Sequence, residues 1–528
     1  MEKAFLLVLL VSAFGTPVSS VEDGNSRIVR DRPVKRTAGW PQWLGPNRDA
    51  TSTEAGCGVL LPAPQPLWKA DVGIGVSSVV VSQGHALAVG HIRGPANRGE
   101  DTVYCFDADT GKVIWKYPYE CLSCKTQDVR FYGPRSTPTV DGDFVYTLSL
   151  EGHLFCFETN SGKIIWNKEL PRDYSGRIPV YGYCCSPLVY GKLLILELNA
   201  EQSSYVALDK SNGEVIWRFA GGHVTCGSPA LTNIDGADCA VFMGGGVVVG
   251  VNAATGEEMW RHGTWGHAWM GPVVSGDKIF VANASLPRGC GMIQIAQGKP
   301  TVLWEDKKKF QTLHCNSVIW QGHIYGFDNT GTDYLGRDGQ RSSLKCLQLD
   351  TGEVKWVKEK MGWGNLIVAP DRIGGGNLII LREAGDLIVA RASAESYQEL
   401  SRNKIFDGQS WTVPAFSKGR VYCRNNSGQV VCLQLFCPST PQDVPVAPLA
   451  HEPAKSPATH SAIFSNGRVY AVSPDACIFV PSIISTALAD MLGDRGSSSG
   501  YHGSNRNEQK PFGFGLTATR SLTTCNRF

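Results

Sequence analysis

CFDADTGKVIW, running from Cys105 to Trp115, decides the fold. Its alternating apolar start reads as a strand, its Asp-Thr-Gly centre as a tight turn in which Gly111 supplies a positive φ, and its Trp end as the next strand. The segment recurs as CFETNSGKIIW at Cys156–Trp166, ALDKSNGEVIW at Ala207–Trp217, GVNAATGEEMW at Gly250–Trp260 and CLQLDTGEVKW at Cys346–Trp356. A worn copy, MIQIAQGKPTVLW, ends at Trp304, and another, LIVARASAESYQEL at Leu387–Leu400, has lost both the Gly and the Trp. Upstream of each copy lies a further strand pair, as in STPTVDGDFVYTLSLEGHLFCF at Ser136–Phe157, so each unit has four strands. Trp115, Trp166, Trp217, Trp260, Trp304 and Trp356 stand 43 to 52 residues apart, a period that predicts propeller blades.

Working outward, eight inner strands begin near Ser77, Ser136, Ser186, Ser228, Gly271, Ser317, Leu366 and Thr412. The expected fold is therefore all-β: an eight-bladed β-propeller of four-stranded antiparallel blades over residues 40–436. The eighth copy stops at VVCLQL (Val430–Leu435) without a Trp strand, while Leu67–Asp71 is a lone Trp strand ahead of any blade. The two complete one sheet, which removes an open edge. Trp68 and the six repeat tryptophans are read as blade-to-blade docking residues. Cys105, Cys156, Cys346 and Cys432 share one repeat position, where they act as small apolar residues.

Before the blades, Lys3 and an apolar stretch from Ala4 to Phe14 followed by Val18-Ser19-Ser20 read as a signal peptide at 1–20, with a linker at 21–39. This predicts an exported protein, periplasmic or extracellular, with no integral span. After the blades, 437–528 is a Pro-, Ser- and Gly-rich extension expected to be partly disordered, and 461–472 echoes Pro414–Asn425 as a partial extra hairpin. The 50 basic and 48 acidic residues are interspersed, so no basic stripe points to nucleic acid. The chain is expected to be a monomer.

The D-x-x-T-G-x-x-x-W copies, the Ser-Pro or Thr-Pro pairs at 137–138, 186–187 and 228–229, and the opening WPQWLGPNRDA (Trp40–Ala50) resemble the pyrroloquinoline-quinone (PQQ) repeat superfamily. The resemblance covers roughly residues 40–436. It implies one of two kinds of function. Quinoprotein alcohol dehydrogenases, including those resembling polyvinyl-alcohol dehydrogenase, bind PQQ and calcium over the central channel. Outer-membrane assembly propellers of the BamB type bind protein partners and no cofactor.

Residues just before the inner strands form one rim of the channel: Arg135, Cys184 with Cys185, Cys226, Trp269, His314 with Cys315, and Trp411. In the dehydrogenase reading, Cys184 and Cys185 form a vicinal disulfide against PQQ, Arg135 contacts its oxygens, and Trp269 or Trp411 stacks on its ring. The bland alternative makes the two cysteines small residues at a strand start. The carboxylates that calcium and a general base require are missing from the strand starts. Asp328, Asp333 and Asp338 lie in the DNTGTDYLGRDG insert instead. A soft-metal site drawn from Cys184, Cys185, Cys226, Cys315, His223, His267 and His314 lacks a compact motif. Cys121 and Cys124 read as a loop disulfide, and Asn283 and Asn425 as weak glycosylation matches. The leading expectation is a binding or scaffold module that takes a protein or glycan ligand at the rim, with Trp265, Trp269, Trp363 and Trp411 as anchors. The runner-up is a PQQ-dependent alcohol dehydrogenase.

Overall fold

The structure, a computed structural model, describes residues 39–54, 58–124, 132–221, 224, 226–264, 269–283, 289–329 and 342–437, and strands at 461–465, 468–473 and 476–479. The expected signal peptide, nearly all of the linker and most of the C-terminal extension lie outside the described residues. So do His223, Trp265, His267, Asp333 and Asp338.

The turn at the heart of the repeat is built by its Asp. Asp107 Oδ1 accepts the Thr110 N–H at 2.7 Å and the Thr110 hydroxyl at 2.7 Å, and the Gly111 N–H closes onto Asp107 O at 2.8 Å. The strand that follows pairs Trp115 with Cys105, and a bulge interrupts the ladder one step on. Trp166 with Cys156, Trp217 with Ala207 and Trp356 with Cys346 repeat this register. The cysteines at this position are fully buried, and burial pushes the thiols of Cys105, Cys156 and Cys432 up to about 12.

The indole of one blade then meets the turn of the next. Trp68 Nε1 donates to Ala108 O at 2.9 Å, Trp115 to Thr159 O at 2.7 Å and Trp166 to Lys210 O at 3.0 Å. Trp304 and Trp356 make the same bond to Leu349 O and Ser393 O, each at 2.8 Å. The Trp115 ring lies so close over Gly162 that a Cβ there would stand 2.5 Å from Trp115 Cδ2. The repeat Gly thus answers two demands, a φ of +72° and the approach of a neighbour's indole. Trp260 differs. The blade that follows it carries the worn AQG turn, and Trp260 Nε1 finds no acceptor there. Its indole lies instead over Gly250 of its own blade, 2.1 Å from where a Cβ would be.

Eight antiparallel blades of four strands result, and the short strand Gly39–Trp40 adds a fifth to the sheet of the first. Seven follow chain order, from Val80–Leu122 (blade one) through Thr139–Glu169, Leu188–Phe219, Ala230–Gly263, Val273–Asp306 and Ser317–Lys358 to Gly364–Lys404 (blade seven). Blade eight combines Ala415–Ser417, Arg420–Arg424 and Gln429–Phe436 with the N-terminal strand Leu60–Asp71, which places Trp68 opposite Cys432. The ring is closed by the docking strand that the sequence predicts. One five-residue helix, Leu170–Tyr174, follows blade two. Among the described residues, no helix is long and apolar enough to cross a membrane. In the second unit, Val446–Phe528, the strands Ser461–Ser465, Arg468–Ser473 and Ala476–Phe479 form an antiparallel sheet.

Two devices organise the axis. The first is a belt of side chains at the inner-strand starts, each accepting the backbone N–H of the blade before it. Val413 N–H donates to Ser78 Oγ at 3.0 Å, Ser78 N–H to Thr137 Oγ1 at 3.1 Å, Thr137 N–H to Ser186 Oγ at 2.9 Å and Ser186 N–H to Ser228 Oγ at 2.9 Å. Across blades six and seven, Asn316 N–H donates to Asn365 Oδ1 at 2.9 Å. The Ser-Pro and Thr-Pro pairs are therefore structural joints. At blade five the corresponding residue is Gly271, where a Cβ would stand 2.2 Å from Ser228 O.

The second device is the segment from Gly39 to Glu54, which threads the axis. Gly39–Trp40 pairs with Val81–Ser82 of blade one, and Pro41 O accepts the Val140 N–H of blade two at 2.8 Å. Arg48, 4% exposed, donates to Ser186 O at 3.0 Å, Pro187 O at 2.9 Å and Pro229 O at 3.0 Å. Ala50 and Ser52 bond Val368 of blade seven, each at 2.8 Å, and Glu54 Oε2 accepts the Lys418 N–H of blade eight at 2.6 Å. Burial lowers the Arg48 guanidinium to about 10, still charged at neutral pH. The segment is a plug, and a single cation sewn to backbone carbonyls holds its centre.

Candidate functional site

A cavity of about 110 Å³ opens where the belt gives out at Gly271. Arg135, Cys184, Ser186, Cys226, Trp269, His314 and Trp411 line it, and Trp43 of the plug contributes to its wall. Four of the five residues that the PQQ reading singles out, Arg135, Cys184, Trp269 and Trp411, thus lie together around one space, with Cys226 and His314 of the same rim.

The fifth does not. Cys185 is fully buried and absent from the lining. Successive residues of an extended chain point to opposite sides, so Cys184 faces the cavity while Cys185 faces inward. Both thiols are free, and the vicinal disulfide of the dehydrogenase reading is not formed. Their chemistry diverges accordingly. Burial pushes the Cys185 thiol up to about 12. The Cys184 thiol is brought below the usual cysteine range, first by a hydrogen bond from Cys226 and then by the charge of Arg135, against the opposing effect of burial. Arg135 Nη1 stands 3.6 Å from Cys184 Sγ. The hydrogen bond with Cys184 first, and burial second, raise the Cys226 thiol.

Behind Cys185 lies Glu197, 1% exposed, with neither carboxylate oxygen hydrogen-bonded. Burial first, and the nearby Cys184 charge second, hold its carboxyl well above the usual range.

Aromatic groups run across the cavity as a connected wall. Tyr181 and Trp269 ring centroids are 4.9 Å apart, Trp269 and His314 5.5 Å, and His314 stacks on Trp411 at 5.4 Å. Trp363 is 2% exposed and packs behind His314 and Trp411, so it backs the wall and presents no anchor. Trp411 is pinned by its Nε1 bond to Glu383 Oε1 at 2.8 Å and its N–H bond to Asn426 Oδ1 at 2.9 Å. The cavity is thus soft and aromatic, with one cation.

PQQ and calcium do not match these residues. Among the described residues the lining holds one cation, Arg135, and no carboxylate. A hard divalent ion needs several oxygen ligands, and a tricarboxylate cofactor needs more than one positive partner.

Other clusters lie away from the axis. Asp101 Oδ1, His91 and Ser123 Oγ form a relay at 2.6 and 2.8 Å, but Ser123 is wholly buried and no substrate reaches it. Cys121, Glu151 and His153 bring ligand atoms within 4.8 Å of one another, but Glu151 is engaged by Arg98 and by the Leu122 N–H. Cys121 and Cys124 do not form the expected loop disulfide: Cys121 lies against Ser149, and the Cys124 backbone is tied to Asn97. Cys437, directly after blade eight, is disulfide-bonded. Asp328 is buried against Lys345 at 2.7 Å, an internal ion pair.

The family model described as outer membrane protein assembly factor BamB matches residues 99–358. A tetrathionate hydrolase of Acidithiobacillus ferrooxidans is 23% identical over 291 residues, 49% of this chain and 50% of that protein. Quinohemoprotein alcohol dehydrogenase ADH IIB of Pseudomonas putida is 29% identical over 133 residues, 24% of this chain and 18% of that protein. BamB of Moranella endobia is 26% identical over 172 residues, 32% of this chain and 40% of that protein. The chain therefore spans half or less of the length of these curated relatives. Among solved structures, quinohemoprotein alcohol dehydrogenase from Comamonas testosteroni superimposes with a TM-score of 0.55 at 12% identity, over 82% of this chain and 83% of that one. At that identity the likeness concerns the fold alone. With its recurring turn-and-Trp units, its eight closed blades and these matches, the chain is an eight-bladed β-propeller whose repeats are similar to those of BamB and of the quinohemoprotein dehydrogenases.

Proposed function

We propose that this propeller is an exported binding module of the cell envelope, and that its axial cavity receives a carboxylate-bearing segment of a protein partner. The observation that carries this reading is the lining: one cation, Arg135, faces a wall of Trp269, His314 and Trp411. Such a site pairs one negative group and packs an apolar neighbour beside it, as interface anchors do. Trp411 is held by Glu383 and Asn426 before any ligand arrives, so little ordering is required on binding. The similarity to BamB supports a binding role and the leading segment supports export. The dehydrogenase alternative has no carboxylate in the described lining to build on.

The test is tryptophan fluorescence during titration with short peptides carrying an aromatic residue next to Asp or Glu. Saturable quenching by acidic peptides, absent with amidated counterparts and lost in Arg135→Ala, is the expected result. Saturable binding of PQQ with calcium, and none of the peptides, would overturn the reading in favour of the quinoprotein.

A further inference from the structure

Two thiols from neighbouring blades meet in the cavity, and neither the fold nor the binding reading uses them. Cys184 opens blade three and Cys226 opens blade four. Both line the cavity, and their side chains are hydrogen-bonded to each other. Arg135 of blade two points its guanidinium at Cys184, 3.6 Å from the sulfur. The protonated thiol has its own acceptor in Gly182 O at 3.4 Å, whereas the thiolate is met by Arg135 and by the Cys226 S–H. Other cysteines, such as Cys105, Cys156, Cys346 and Cys432, are sealed inside blades.

We propose that Cys184 and Cys226 form an exchange dithiol whose substrates are disulfides, with Cys184 as nucleophile and Cys226 as resolving thiol. Both thiols line the one cavity, and Arg135 stands beside the attacking thiolate. Cys184 S⁻ attacks a disulfide R–S–S–R, forms a mixed disulfide and expels R–S⁻. That thiolate takes the Cys226 proton and leaves as R–SH. Cys226 S⁻ then attacks Cys184 Sγ, closes the Cys184–Cys226 bond and expels the second R–S⁻, which is protonated by solvent. The dithiol loses two electrons and the substrate disulfide gains them. A thiolate below the usual cysteine range at neutral pH combines adequate abundance with nucleophilicity. Cys185 is the internal control, one residue away but walled off with a raised thiol.

The inference uses the same cavity as the binding reading but does not depend on it, because peptide quenching and thiol exchange are read separately. The whole chain, reduced and freed of reductant, is incubated with oxidised glutathione. Thiol release and mass-mapped peptides are then followed. Two glutathione molecules should be released per Cys184–Cys226 disulfide formed. Cys226→Ser should stop at a glutathione adduct on Cys184. In parallel, iodoacetamide at neutral pH should label Cys184 at least about tenfold faster than Cys185. Should the serine variant fail to fold, the wild-type release and mapping decide alone. No Cys184–Cys226 bond in the wild type, or an adduct on Cys185 in preference to Cys184, overturns the proposal.

Discussion

The edge of this propeller and its axis are built on opposite principles. At the edge most blades repeat one solution: a turn braced by a polar side chain such as Asp107, a Gly under a neighbour's indole and a Trp N–H donated across the gap. At the axis the belt that starts with Ser78, Thr137, Ser186 and Ser228 breaks at Gly271, and the non-repeating groups gather there. Repetition carries the fold, and the departures from it carry the chemistry. Trp260 shows the rule from the other side. Where the following turn is worn, its indole turns back onto its own blade.

The comparison can be strained at four points, taken from the largest effect down. Arg48→Ala removes the cation that bonds Ser186 O, Pro187 O and Pro229 O, and leaves buried carbonyls unpaired. It should cost about 3 kcal/mol or more in urea unfolding. Gly162→Ala combines a positive φ with the clash against Trp115, and should cost about 2–3 kcal/mol. Gly142→Ala, at φ +59° with nothing within 4 Å, isolates the backbone share and should cost less. Equal losses at the two glycines would remove the indole from the account. Ser186→Ala takes the acceptor from the Thr137 N–H and should cost about 1–2 kcal/mol. Ser136→Ala removes a hydroxyl with no partner and should be close to neutral.

The smallest effect concerns pH. The Glu197 carboxyl is held above its usual range by burial, so the unfolded chain ionises there first as pH rises. Stability from this site is full in acid and falls as pH climbs past the ordinary carboxylate range towards the folded value. Glu197→Gln should therefore unfold at a higher urea concentration than the parent at pH 8, with the difference shrinking at pH 4. A difference independent of pH would mean that the carboxyl is charged in the folded protein.

Much of the edge was legible in the sequence because every copy solves the same local problem, and five intact copies reveal it. The closure of blade eight by Leu60–Asp71 followed from counting a Trp strand with no blade and a blade with no Trp strand. Around the axis, aligning the inner-strand starts grouped Arg135, Cys184, Trp269 and Trp411, which the structure places in one cavity. The same alignment grouped Cys185 with them, although strand alternation alone separates it from its neighbour. The plug was not legible. WPQWLGPNRDA has no internal period, and Arg48 reaches backbone carbonyls that leave no trace in residue type. The alignment put Cys226 on the same rim as Cys184, but only the curvature of the ring sets the two thiols against each other.

Arg135 tests the division most directly. Urea unfolding and peptide quenching are measured on the same preparation of Arg135→Ala. If chemistry sits where the repeat breaks, the unfolding midpoint stays within about 0.5 kcal/mol of the parent while acidic-peptide quenching disappears. A variant that is destabilised as much as Arg48→Ala, yet still quenched by acidic peptides, would make Arg135 another structural rivet and contradict the account.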